Sequence, residues 1–222
     1  MGALALRWPA GRSIAAGRSA CDGCGATLRA WELVPLASYL ALRGRCARCA
    51  GAIDPRQPLA ELGGLCVGAA ALAVAPGWTG LAGALFGWAL LALALLDAGH
   101  FWLPDKITLP LAAGGLALGL GDITDRLIGL GAGWLSLTLI SLAYARARGR
   151  VGLGAGDAKL FAAIGAWLGW RDLPTVLLVA SLAGLAWALA ARLRGKAISA
   201  ATRLPLGTLL ALAAFPLWLL NA

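Results

Sequence analysis

From about residue 59 to the C-terminus, long apolar runs alternate with short polar interruptions. Each run is too long for a strand and too uniformly apolar for the one-sided helix of a soluble domain. The pattern predicts helices over 59–75, 79–97, 105–120, 126–145, 154–169, 173–191 and 204–220. A helix needs roughly 20 apolar residues to cross a bilayer, and several of these runs are slightly shorter. The expected count is therefore about seven transmembrane helices, one more or one fewer. Residues 1–58 break the pattern, with eight arginines, four of the five cysteines and no long apolar run. The opening "MGALALRWPAGRS" has no apolar core of signal-peptide length, so no cleaved secretory signal is expected. The predicted architecture is an all-α polytopic membrane protein, with a small polar domain over 1–58 joined to a helical bundle over 59–222.

Composition sharpens this picture. Sixty per cent of the 222 residues are hydrophobic and only 13% are charged, against about 25% charged in soluble domains. If residues 1–58 are cytoplasmic, the cytoplasmic segments are 1–58, 97–106, 146–159 and 192–203. They carry 17 of the 19 lysines and arginines, leaving only Arg126 and Arg171 outside. The positive-inside rule then places the N-terminal domain in the cytoplasm. The net charge of +9 is accounted for by an anionic lipid leaflet, so membrane lipid is an expected partner and nucleic acid is not. The 31 glycines suit close helix packing in lipid.

"CDGC" at Cys21–Cys24 and "CARC" at Cys46–Cys49 are two Cys-x-x-Cys knuckles separated by 21 residues. This spacing suits a tetrahedral zinc site of four thiolates, Cys21, Cys24, Cys46 and Cys49, with Gly25 and Gly51 easing the turns. Two disulfides are the rival reading, disfavoured in a reducing cytosol. Four cysteines leave no open ligand position, which makes the zinc structural. Cys66, inside the first apolar run, is expected to pack.

Six of the ten acids, Asp22, Glu32, Asp54, Asp122, Asp125 and Asp172, fall in polar segments and read as solvated. Glu61 opens the first helix, favourably for its dipole. Asp105, after Pro104, reads as the N-cap of the third helix. Asp97 and Asp157 differ, because each terminates an apolar run at its cytoplasmic end. Acids at one membrane depth on different helices can meet inside the bundle, and carboxylates there are functional candidates. Two close aspartates do not both ionise easily. One can activate a water while the other donates a proton to a carbonyl oxygen. In "GAGD", Gly154 and Gly156 leave room for a substrate backbone or a second helix beside Asp157. Lys159 points to another face and is expected to reach lipid phosphate. Nothing in the sequence supports a serine-type device on His100, the single histidine.

These residues resemble the type IV prepilin peptidases, a branch of the Gly-x-Gly-Asp intramembrane aspartyl proteases. The resemblance covers nearly the whole chain: the segment from "GRSACDGC" to "RCARC", the helix entry "RQPLAEL", and the aspartate segments "LLDAGHFWLPDKIT" and "GAGDAKLFAAIGAWLGW". It implies that Asp97 and Asp157 are the catalytic pair; Gly154, Gly156, Asp105 and Lys159, beside them in the same segments, are the expected substrate-binding or supporting residues. It implies a bacterial inner-membrane enzyme that cuts prepilins or pseudopilins on the cytoplasmic side, just after a glycine. It also implies methylation of the new N-terminus with S-adenosylmethionine. Three departures lower the expectation for methylation. The sequence begins at "LRWP", where the family has a preceding helix; Asp22 replaces a proline; and Leu33-Val34-Pro35 replaces Asn-Ile-Pro. A proton-coupled transporter using the two aspartates is the alternative, disfavoured because both acids lie near one membrane face and no inverted repeat is visible. A methyltransferase or scaffold with a vestigial protease site is disfavoured by the intact "GAGD".

Overall fold

A computed structural model describes residues 8, 19–21, 23–149, 152–195 and 204–222. The chain divides into two compact units, residues 1–67 and 68–222. Among the described residues, seven long helices follow the cysteine region: α1 (Arg56–Val74), α2 (Trp78–His100), α3 (Asp105–Leu118), α4 (Ile123–Arg148), α5 (Ala155–Leu168), α6 (Leu173–Leu193) and α7 (Leu206–Asn221). Among the described residues, α1, α2, α4 and α6 are long and apolar enough to cross a membrane. The remaining three have 14, 14 and 16 residues. At 1.5 Å per residue, 14 residues reach about 21 Å, short of a hydrocarbon core of about 30 Å.

Helix ends follow local chemistry more than hydropathy. α1 starts at Arg56, before the apolar run, because Asp54 Oδ1 accepts the Arg56 N–H at 2.8 Å. Pro58 also sits in the first turn, where a missing N–H costs nothing. α4 continues past the apolar stretch through "ARAR", good helix formers, until Gly149 turns left-handed at φ 65°. α2 extends to His100, which is exposed, and closes on Phe101 with φ 50°.

In the second unit α5 is the central element, packed by α3, α4, α6 and α7. Every residue from Leu160 to Leu168 is buried, so this short helix is shielded by protein. α4 meets α5 backbone to backbone at Gly129 and Gly165, where a methyl group on either would run into the other's carbonyl. Trp167 stacks on Phe86 of α2 with ring centroids 4.8 Å apart, and its Nε1–H donates to the Leu111 carbonyl of α3 at 2.8 Å. One buried aromatic thus ties three helices together.

The first unit is different in kind. Among its described residues only Ala60 is buried. Cys66 faces outward on α1, contrary to the expected packing role, because α1 turns that side away from protein. Glu61 lies in the second turn of α1, and its carboxylate accepts the Leu36 N–H at 3.0 Å. It thereby ties down a residue held at φ 58°.

Candidate active site

Asp97 stands one turn before the end of α2 and is only 4% exposed. A carboxylate so deep needs donors, and they come from the start of α7. The Thr208 N–H donates to Asp97 Oδ2 at 2.7 Å, and Thr208 Oγ1 lies 3.1 Å from the same oxygen. α7 begins after Pro205, with no acid in its first turn, so its free N–H groups and positive dipole end meet a carboxylate from another helix. Gly207 makes the approach possible. A Cβ there would sit 3.0 Å from Asp97 Oδ2 and 2.9 Å from Leu103 Cδ1.

Asp157 is the third residue of α5 and half-buried. Its Oδ2 accepts the Gly154 N–H at 3.2 Å, so the acid caps its own helix. The structure brings Asp97 and Asp157 together. Each carboxylate is within reach of the Gly207 N–H, and the two interact electrostatically.

The four supporting residues are arranged differently from the expectation. The space beside Gly156 is filled by Leu103, with Cβ 3.0 Å from where a side chain would start, and Gly154 faces the Asp157 carboxylate at 3.1 Å. Leu103, from the loop between α2 and α3, thus covers Gly156, while Gly154 stays exposed. Asp105 is not a cap: Pro104 holds that position without a side-chain bond. Asp105 instead binds Lys159, whose Nζ lies 2.8 Å from both carboxylate oxygens. Lys159 therefore pairs with an acid rather than reaching for phosphate, because the N-terminal ends of α3 and α5 run side by side. Sequence reasoning misses Gly207 and Thr208. The available signal is "LPLGT", a helix start with no acid of its own to cap it.

In the first unit the four cysteine sulfurs lie within 4.8 Å of one another. Cys21 and Cys49 Sγ are 3.9 Å apart, near the edge of about 3.8 Å that a tetrahedron with bonds of about 2.3 Å requires. Each knuckle is a miniature hairpin, closed by Cys21 N–H to Ala26 O and by Cys46 N–H to Gly51 O, both 2.9 Å. The left-handed residue is Gly25 in the first knuckle but Ala50 in the second, at φ 69° and 54°. Gly51 is needed for space instead, since a Cβ there would crowd Cys49 Sγ at 3.2 Å. The backbone N–H groups of Cys49 and Arg48 hold the Cys46 thiol down at about 6, which favours the thiolate a metal needs. The donor set fits a metal ion. Asp22, inside the first knuckle, lies outside the described residues.

Residues 1–75 match the bacterial peptidase A24 N-terminal domain, and residues 84–189 match the type IV leader peptidase family. The prepilin leader peptidase/N-methyltransferase of Pseudomonas aeruginosa is 42% identical over 201 residues, covering 88% of this chain and 69% of the relative. The chain belongs to the type IV leader peptidase family. Two more family members carry the same description. That of Burkholderia pseudomallei is 46% identical over 194 residues, covering 85% of this chain and 62% of its own length. That of Aeromonas hydrophila is 46% identical over 172 residues, covering 75% and 59%. The chain thus spans about three fifths of the length of these two relatives. No solved structure matches it significantly. Within the family frame, the four cysteines fall in the first matched segment and both aspartates in the second, while Gly207 and Thr208 lie beyond it.

Proposed function

We propose that the chain is a membrane aspartyl endopeptidase that removes the leader peptide of type IV prepilins or pseudopilins at the cytoplasmic face of the bacterial inner membrane. The observation that carries this reading is the meeting of Asp97 and Asp157 around the start of α7, in a chain of this family. In the proposed reaction the ionised carboxylate takes a proton from water, and the resulting oxygen attacks the peptide carbonyl carbon. The protonated carboxylate donates to the carbonyl oxygen. Collapse of the tetrahedral intermediate breaks the C–N bond, and the departing nitrogen takes up a proton. No acyl-enzyme forms. Burial of Asp97 keeps bulk water from levelling the difference between the two acids.

Asp105 and Lys159 support the site indirectly, by joining the N-terminal ends of α3 and α5 near Asp157. Cys21, Cys24, Cys46 and Cys49 hold a structural zinc, an assignment supported by their sulfur spacing. The bundle crosses the membrane with α3, α5 and α7 completing about seven spans, and the basic segments and the cysteine unit face the cytoplasm. N-methylation of the cleaved product with S-adenosylmethionine is the second activity proposed, by analogy with the names of the relatives. Co-expression with a prepilin tests both. The mature N-terminal mass should show leader removal after the glycine, and one added methyl reports the second step. An uncut leader would overturn the peptidase reading, and a cut, unmethylated terminus would overturn the methylation.

A further inference from the structure

Thr208 stands between two acceptors. Its Oγ1 lies 3.0 Å from the Ala94 carbonyl, one turn before Asp97 on α2, and 3.1 Å from Asp97 Oδ2. A hydroxyl has a single proton and two lone pairs, so it donates to one of these partners at a time. The Ala94 carbonyl has a second lone pair to offer beyond its helical bond. The Thr208 N–H, at 2.7 Å from Oδ2, stays a donor in either case.

We propose that Thr208 is a positioning residue for Asp97: its N–H fixes the carboxyl oxygen, while its hydroxyl changes partner as Asp97 gains or loses a proton. With Asp97 ionised, the hydroxyl donates to Oδ2. With Asp97 protonated, the hydroxyl turns to Ala94 O, and its lone pair accepts the carboxyl O–H. The proton stays on Asp97 or leaves to solvent or substrate, and Thr208 itself is never ionised. A carboxyl 4% exposed thus keeps the Thr208 hydroxyl as a hydrogen-bond partner in both states, where a fixed donor would leave one state unpaired. Gly207 contributes only its N–H and its lack of a side chain. Among the described residues, the titratable group that acts electrostatically on Asp97 is Asp157, while His100 is exposed one turn further along α2.

The inference rests on the peptidase reading for its catalytic consequence but not for its chemistry, and the test separates the two. Thr208→Val keeps the shape and removes the hydroxyl; Thr208→Ser keeps the hydroxyl. On a prepilin leader peptide, Thr208→Val should lower kcat about tenfold or more with KM unchanged, as expected for one hydrogen bond to a charged group. Thr208→Ser should stay within about threefold of the parent. The second readout needs no activity. In an Asp157→Asn background, the infrared C=O band of protonated Asp97, identified by its loss in Asp97→Asn, should move to higher wavenumber in Thr208→Val. Thr208→Ala should give the same displacement and replaces valine if that variant fails to accumulate. An unmoved band, or a parental kcat in Thr208→Val, overturns the proposal. Failure of the parent to cut prepilin peptides would sink the functional reading alone, while the band still decides the role of Thr208.

Discussion

Cys21, Cys24, Cys46 and Cys49 stand in a unit whose described residues bury one alanine, whereas Asp97 lies inside a bundle that buries Phe86, Leu90, Leu93, Leu96, Leu160 and Ile164 completely. Both regions gather groups that repel when ionised, and they stabilise them from different sources. The bundle supplies its own compensation, because the carboxylate meets the free N–H groups of another helix. The cysteine unit has hairpins and backbone donors but almost no apolar core. A segment that small does not hold four thiolates together without a ligand. One region is organised by the protein alone; the other, on the proposed reading, is organised by a bound ion.

Metal removal should therefore split the molecule's behaviour, and this is the largest effect expected. Structural zinc contributes on the order of 10 kcal/mol in small modules. Chelation, or replacement of any one of the four cysteines by serine, should abolish amide protection over residues 19–54 while α2, α5 and α7 stay protected in hydrogen exchange. Metal analysis should return one zinc per chain. Acid should act in the same direction. A metal binds cysteine as thiolate, so protons compete with it and stability of the unit should fall as pH is lowered. Uniform loss of protection across both units would break the comparison.

Gly207→Ala probes the other side. The new methyl would press on Asp97 and Leu103, and misplacing the carboxylate slows the reaction, by up to about 100-fold if the shift reaches about 1 Å. Cleavage assays should show that loss with normal accumulation in membranes, because alanine otherwise favours the helix. A parental rate would mean that the start of α7 does not set the position of Asp97.

Ala50 offers a smaller test within the cysteine unit. An L-residue in the left-handed region costs about 1–2 kcal/mol, so Ala50→Gly should stabilise the unit by about 1 kcal/mol. Thermal or chelator titration should read this as tighter metal retention. Smallest of all is the Lys159–Asp105 pair, with side chains 39% and 53% exposed. Lys159→Met should change stability by less than about 1 kcal/mol.

The helices are legible in the sequence because burial in lipid demands long apolar runs, and each of the seven predicted runs overlaps an observed helix. Their ends are less legible. Asp54 and Pro58 start α1 ahead of its apolar run, and Gly149 rather than hydropathy stops α4. Asp97 and Asp157 stand out because a carboxylate beside an apolar run is costly and therefore informative. Thr208 does not stand out, because threonine is ordinary in a helix and its partner lies 111 residues away. Lys159 misleads for a related reason: its spacing from Asp157 is readable, but the neighbouring first turn of α3 is set by tertiary packing.

The most direct test is the N-terminal mass of a prepilin incubated with membranes holding the parent, Asp97→Asn or Asp157→Asn at equal abundance. The parent should yield a processed N-terminus and either variant an intact leader, because asparagine can neither take nor give the proton. A processed N-terminus produced by either variant at the parental rate would contradict a mechanism that needs both aspartates.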